Sequence, residues 1–190
     1  MISASLLIEG YLQGVFPMGI ENGEIGWFSP DPRAIIPLDD HFHVPHGLKR
    51  VLARGTFEIR LNQSFERVMR ACAERAETWI TEEIVQSYGE LHRRGMAHSV
   101  EAWHEGRLAG GLYGVALGGA FFGESMFHWE TDASKVALHG LVQQLRASGF
   151  ALLDTQWITP HLRQFGAVEI SRRTYLRRLA EATRLDCTFG

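Results

Sequence analysis

Phe121-Phe122-Gly123-Glu124-Ser125-Met126-Phe127 and, one helical pattern later, Leu152-Leu153-Asp154-Thr155-Gln156 are the two stretches on which the reading of this chain turns. Both read as apolar strands, yet each carries acidic or amide groups where a buried core excludes them. Side chains two apart on a strand point the same way. Asp154 and Gln156 therefore share a face with Leu152, while Phe122, Glu124 and Met126 share a face of their own strand. If the strands lie side by side, three polar groups converge in apolar surroundings. One such carboxylate is ordinarily a helix cap or the partner of an arginine, but three together point to a site.

Working outward, Thr131 or Asp132 opens a helix with Leu138, Leu141, Val142 and Leu145 on its buried stripe, closed by Gly149. Strand, helix and returning strand make a crossover unit. Upstream, Ala97–His104, Arg107–Ala116 and Ala120–Phe127 are joined by Glu105-Gly106 and Gly118-Gly119, the turn chemistry of an antiparallel meander. Before it come a helix over His46–Arg54, a strand over Phe57–Leu61, a helix capped by Asn62 with Phe65, Val68, Met69 and Cys72 inside, and a helix capped by Thr81 with Ile84, Tyr88 and Leu91 inside. After it come a short helix to Phe165, a strand at Ala167–Ile170 and a Ser171-capped helix. At the N-terminus a helix over residues 3–13 stops at Gly14. Val15–Met18 and Trp27–Arg33 then crowd aromatics around prolines, which suits an irregular lid or a small separate sheet.

The expected fold class is α/β, a mixed α+β sheet with helices on both faces, divided into a small N-terminal domain (1–37) and a main domain (38–190). The order β-α-α-β-β-β-α-β-α-β is that of the N-acetyltransferase (GNAT) fold. That fold binds coenzyme A with its pyrophosphate at a helix N-terminus. Here the equivalent stretch carries Glu130 and Asp132, which repel phosphate, so no coenzyme is expected.

A chain of 190 residues with 45% hydrophobic content has ample material for one domain and a small addition. A net charge of −3 excludes a protein coated in basic residues, so any nucleic-acid contact must be local. Lys49, Arg50 and Arg54 form one such cluster; Arg163, Arg172, Arg173, Arg177 and Arg178 form another. Cys72 and Cys187 have no framework spacing, and no leader or membrane-spanning pattern is visible, so a cytoplasmic protein without membrane contact is expected. His41-x-His43, with His46 and Asp39-Asp40, lacks a distant fourth ligand, and no metal is expected.

Tyr11-x-x-Gly14-x-Phe16-Pro17, Trp27-x-Ser29-Pro30-Asp31-Pro32-Arg33, Thr78-Trp79-Ile80-Thr81, Gly110-Gly111-x-Tyr113-Gly114-Val115, Gly123-Glu124-Ser125-Met126-Phe127, Ala133-Ser134-Lys135 and Asp154-x-Gln156 occur in order along nearly the whole chain. Together they resemble the leucyl/phenylalanyl-tRNA–protein transferase family. The resemblance implies a monomeric aminoacyltransferase that moves leucine or phenylalanine, and methionine more weakly, from Leu-tRNA or Phe-tRNA to proteins with N-terminal Arg or Lys, marking them for degradation. It implies no cofactor. It assigns Asp154 and Gln156 as the catalytic pair, with the amide oxygen accepting from the attacking amine and Asp154 polarising or orienting the amide. Glu124 then binds the cationic acceptor, its alternative being an internal salt bridge to Lys135. Met18, Trp79, Leu112, Phe121, Gly123, Met126 and Leu153 form the aminoacyl pocket, or else plain core, and the Lys49, Arg50 and Arg54 face tracks tRNA phosphates. Met18, Thr155 and Thr159 depart from the family pattern. Rival readings are a transferase preferring acidic N-terminal acceptors, a CoA-dependent N-acetyltransferase and a non-catalytic RNA-binding module.

Overall fold

The computed structural model describes residues 1–75 and 77–190, with Asn22 described by its backbone alone. Helix α1 (Ala4–Leu12) begins where Ser3 Oγ accepts from the Leu6 N–H at 3.3 Å, and buries Leu7 and Tyr11. The chain leaves it through Gly14 at φ 76°, a conformation that suits glycine. Strands β1 (Phe16–Gly19) and β2 (Ile25–Phe28) then pair as an antiparallel ribbon, the small-sheet alternative of the sequence reading. Gly19 docks that ribbon on the rest of the molecule. Its N–H donates to the Trp79 carbonyl at 3.0 Å, and a Cβ there would lie 2.7 Å from the same oxygen.

Strand β3 (Arg33–Ile36) is fully buried and lies inside the main sheet. The remaining elements are α2 (His46–Arg54), β4 (Glu58–Leu61), α3 (Phe65–Ala73), α4 (Glu82–Arg93), β5 (Ala97–His104), β6 (Arg107–Leu117), β7 (Ala120–His128), α5 (Ala133–Ala147), β8 (Leu152–Gln156), α6 (Pro160–Arg163), β9 (Val168–Ile170) and α7 (Arg172–Ala182). They build a seven-stranded sheet in the order β4-β5-β6-β7-β8-β3-β9. Among the described residues its pairs are antiparallel except β7 with β8, the two strands joined by the α5 crossover. By hydrogen bonding the main sheet thus begins at Arg33, ahead of the division expected at Pro37.

The sheet is covered on both faces. Leu7, Tyr11, Phe65, Val68, Met69, Ile84, Tyr88, Tyr113, Phe122, Tyr175 and Leu179 form one apolar layer, and Leu48, Leu112, Phe121, Val136, Leu141, Leu145, Phe150, Leu153 and Phe165 form the other.

Two local expectations are corrected. Asn62 does not cap α3; the cap position is Ser64. Asn62 sits at φ 58°, accepts through Oδ1 from the Ser99 N–H at 3.1 Å and places Nδ2 3.1 Å from His98 Nδ1. A short polar side chain tolerates that left-handed turn and ties it to β5. The second correction bears on the site. Tyr113 pairs with Ser125 but Gly114 pairs with Gly123, so Glu124 is the extra residue of a β-bulge. A bulge inverts the alternation beyond it. Phe122 consequently packs in one layer while Met126 packs against the other, and Phe122, Glu124 and Met126 do not share a face. Gly114 makes room for the bulge, since a Cβ there would lie 2.2 Å from the Phe122 carbonyl and 2.4 Å from the Phe121 ring.

Candidate active site

Strands β7 and β8 stay paired from Ala120 and Leu152 only as far as Phe122 and Asp154. Beyond that register the residues of both strands line a cavity of about 490 Å³. One wall is apolar, built by Leu112, Met126, Leu138, Leu141, Leu153 and Leu162, with Met18 and Trp79 supplied by β1 and the loop before α4. The other wall is polar, with Tyr113, Glu124, Ser125 and Gln156. A space of this size accepts one aliphatic or aromatic side chain with its backbone atoms.

Of the pocket residues expected from sequence, Met18, Trp79, Leu112, Gly123, Met126 and Leu153 line the cavity. Phe121 does not. It lies beneath the apolar wall, fully buried and stacked on Phe189 with ring centroids 5.3 Å apart.

The two carboxylates of the constellation have different surroundings. Asp154 is fully buried and accepts four hydrogen bonds: from Arg33 Nε at 2.9 Å, Arg33 Nη2 at 2.6 Å, Tyr175 Oη at 2.8 Å and the Gln156 backbone N–H at 2.9 Å. Arg33 is itself buried, its guanidinium 4.9 Å from the Phe16 ring centroid and 4.4 Å from that of Tyr175. The arginine-partner alternative is therefore the arrangement found for Asp154. It stands behind the cavity wall and reaches Gln156 through the main chain, not through the side-chain amide. That backbone bond holds Gln156 at φ 60°, a left-handed conformation uncommon for a non-glycine residue and frequent at functional sites.

Glu124 faces the cavity. Tyr11 Oη donates to its Oε1 at 2.7 Å, Tyr88 Oη lies in hydrogen-bond contact with Tyr11 Oη, and Gln156 Nε2 approaches the same Oε1 at 3.5 Å. The internal partner considered for it, Lys135, is bonded to Asp132 at 2.6 Å instead. Burial pushes the Glu124 carboxyl up to about 8, the Tyr11 bond working against the shift and the Asp154 charge adding to it. The amide of Gln156 meets Glu124 through nitrogen, which leaves its carbonyl oxygen for another donor.

Sequence reasoning did not single out Arg33, Tyr11, Tyr88 or Tyr175 for roles. Tyr11 and Arg33 stood inside quoted motifs, and Tyr88 stood on a helical stripe, but a hydroxyl on a buried stripe leaves no trace in hydrophobic periodicity. Lys49, Arg50 and Arg54 are exposed on α2 and, among the described residues, form none of the ion pairs that engage Arg60, Arg70, Arg93 and Arg94. The loop entering α2 is tied to the α6 turn, where His43 N–H donates to Phe165 O at 3.0 Å, and α6 contributes His161 and Leu162 to the cavity. In the second basic cluster Arg172 is held by Ser29 O at 2.5 Å, while Arg163, Arg173, Arg177 and Arg178 are exposed.

An apolar hollow beside an amide and a carboxylate, at the point where two parallel strands part, suits an enzyme that hands an apolar acyl group to a polar acceptor. The chain belongs to the leucyl/phenylalanyl-tRNA protein transferase family: the family model matches residues 35–180, and the model of the family's N-terminal domain matches residues 1–31. It is 57% identical over 188 residues to the leucyl/phenylalanyl-tRNA–protein transferase of Herpetosiphon aurantiacus, covering 99% of this chain and 98% of that protein. It is 57% identical over 190 residues to that of Rubrobacter xylanophilus, covering 100% and 99%, and 54% identical over 182 residues to that of Salinibacter ruber, covering 95% and 80%. It is thus an aminoacyltransferase, with an aminoacyl-tRNA and a protein as its substrates. No helix among the described residues is long and apolar enough to cross a membrane.

Proposed function

We propose that the protein acts in the cytoplasm as a monomer, transferring leucine or phenylalanine, and methionine more slowly, from aminoacyl-tRNA to proteins that begin with Arg or Lys, so that they enter a degradation route. The observation carrying the acceptor assignment is Glu124, a carboxylate in the cavity wall whose hydrogen bonds come from phenol and amide rather than from a cation. A cationic chain start draws Glu124 into its charged form and pairs with it, whereas one beginning with Asp or Glu would push the carboxyl further up and gain no counter-charge from it, which disfavours the acidic-acceptor alternative.

The reaction is aminolysis of an ester. The acceptor amine attacks the ester carbonyl carbon, the new C–N bond forms, the C–O bond to the terminal ribose breaks, and the amine proton passes to the released hydroxyl. An N-terminal amine has a reference pKa of about 7.7–8.0, so a modest pull frees its lone pair. In this reading Gln156 Oε1 accepts a hydrogen bond from that amine and aims it. Asp154, which does not touch the substrate, is a positioning residue: anchored by Arg33 and Tyr175, it holds the Gln156 backbone in its strained conformation. Holding amine and ester together supplies much of the rate.

The apolar wall takes the donor side chain, with burial of a leucine-sized group contributing roughly 1.5–3 kcal/mol. Such a wall separates neighbours differing by one methylene by only about 1–3 kcal/mol, hence the weaker use of methionine. Lys49, Arg50 and Arg54 track the tRNA phosphates, which makes binding salt-dependent. The main domain is read as GNAT-like with coenzyme A excluded, and the ribbon of β1 and β2 as part of a small N-terminal domain that closes the aminoacyl pocket with Met18. The test is transfer of labelled leucine from Leu-tRNA to a panel of peptides differing only in their first residue. Label on Arg- and Lys-initiated peptides alone supports the reading; label on Asp- and Glu-initiated peptides, or none on any, rejects it.

A further inference from the structure

We infer that Tyr113 is the second anchor for an N-terminal arginine side chain, the group that makes this site favour a guanidinium over an ammonium. The inference rests on the reading of Glu124 as the counter-charge of the acceptor. Tyr113 lies on β6, opposite Ser125 and beside the bulge that presents Glu124. It is fully buried, it borders the cavity, and its hydroxyl has no hydrogen-bond partner among the described residues. A buried hydroxyl left unmatched is destabilising, so this oxygen is a standing cost unless a ligand meets it.

The neighbouring phenols are already engaged. Tyr11 gives its proton to Glu124 Oε1, so the proton in the Tyr11–Tyr88 bond comes from Tyr88. Tyr113 stands outside that relay, meeting Tyr88 edge-on with centroids 5.9 Å apart and Phe65 at 6.0 Å. It lies in the same layer as Tyr11, Tyr88 and Phe122, on the face to which the bulge turns Glu124. Burial raises its own phenol well above the ordinary value, with the Glu124 charge adding to the shift, so it stays a neutral hydroxyl.

A guanidinium carries five N–H donors in a rigid planar fork. One edge can engage Glu124, where neither existing bond uses Oε2, which leaves another N–H for the Tyr113 oxygen. An ammonium has three donors on one nitrogen and reaches the carboxylate without spanning to a second acceptor. Tyr113 therefore adds a charge-assisted hydrogen bond for arginine that lysine forgoes.

The test compares full-length wild type, Tyr113→Phe and Glu124→Gln with peptides identical except for an initial Arg or Lys. Because no described residue uses the Tyr113 hydroxyl, its removal leaves the thermal midpoint unchanged or raised. The kcat/KM for the Arg peptide is expected to fall about tenfold, mostly through KM, with the Lys peptide changed less than about threefold. An unchanged Arg-to-Lys ratio overturns the inference, as does an equal loss on both peptides accompanied by a lowered midpoint, which is the mark of a packing role. Glu124→Gln separates the two readings. If it spares both peptides, the Glu124 assignment itself fails; if it suppresses both while the ratio in Tyr113→Phe stays flat, only the Tyr113 inference fails.

Discussion

Asp154 and Glu124 are acids on adjoining parallel strands, taken out of bulk water by the same fold, and the protein treats them in opposite ways. Asp154 receives a bidentate arginine, a phenol and a backbone N–H, four bonds that complete its shell. Glu124 receives a phenol and a distant amide, and its carboxyl is pushed up to about 8 because, among the described residues, no cation bonds to it to offset the loss of water. Both charges could have been neutralised internally, and Arg33 lies close enough to pull on Glu124, yet its fork is committed to Asp154. The acid with an internal cation is part of the frame. The acid without one is where an external cation gains most.

The largest effect should come from taking the cation away from the frame. Removing one member of a buried ion pair strands the other and costs about 3–5 kcal/mol, so Arg33→Ala and Asp154→Ala should each lower unfolding free energy by about that amount in urea titrations at pH 7. The two losses should not add, because they remove the same pair. A cost below about 1 kcal/mol for Arg33→Ala would erase the distinction between the two acids, since Asp154 would then manage without its partner.

Next comes reversing the charge of the open carboxylate. Glu124→Lys should lower transfer to Arg- and Lys-initiated peptides by about 100-fold, the scale of meeting a like charge across a desolvated contact, while Leu-tRNA binding, measured by filter retention, changes little. If transfer to the cationic peptides survives that reversal, the open carboxylate is not the acceptor's seat.

How much of this was legible in the sequence follows from the range of each signal. Helices and the meander were legible because stripes such as Leu138, Leu141, Val142 and Leu145, and turns such as Glu105-Gly106, are local. That Glu124 and Gln156 come together was legible from the crossover joining their strands; which way each acid faces was not, since the bulge breaks the alternation at Glu124 and Asp154 stands behind the cavity wall. Three things were out of reach. Arg33 and Asp154 are 121 positions apart, and nothing near either residue announces the other. Strand β3 is four residues long and follows a Pro-Asp-Pro run, so neither length nor period marks it as a strand. The bulge at Glu124 is a single extra residue, invisible to a period-two pattern, although Gly114 and Gly123 facing each other across it are the kind of trace such an irregularity leaves. That one residue decides the site: it turns Glu124 onto the face of Tyr11 while sending Met126 to the apolar wall.

The finest test of the contrast is thermodynamic and needs no substrate. A glutamate has a reference value of 4.5, and in the folded protein Glu124 is pushed up to about 8. Below pH 4.5 the group is protonated whether the chain is folded or not, and it does not influence the balance. Between 4.5 and 8 the unfolded chain releases this proton while the folded one keeps it, so stability declines as pH rises; above 8 the penalty is complete. Glutamine has the same shape and no charge to bury. Glu124→Gln should therefore match wild type near pH 4 and exceed its thermal midpoint by several degrees near pH 9, given roughly 2–4 °C per kcal/mol in a chain of this size. Asp154→Asn, measured in the same buffers, should instead be less stable than wild type near pH 9, because it leaves Arg33 without its counter-charge. If Glu124→Gln also loses stability as pH rises, the protein itself is holding the Glu124 anion, and the slot is no longer waiting for a cation from outside.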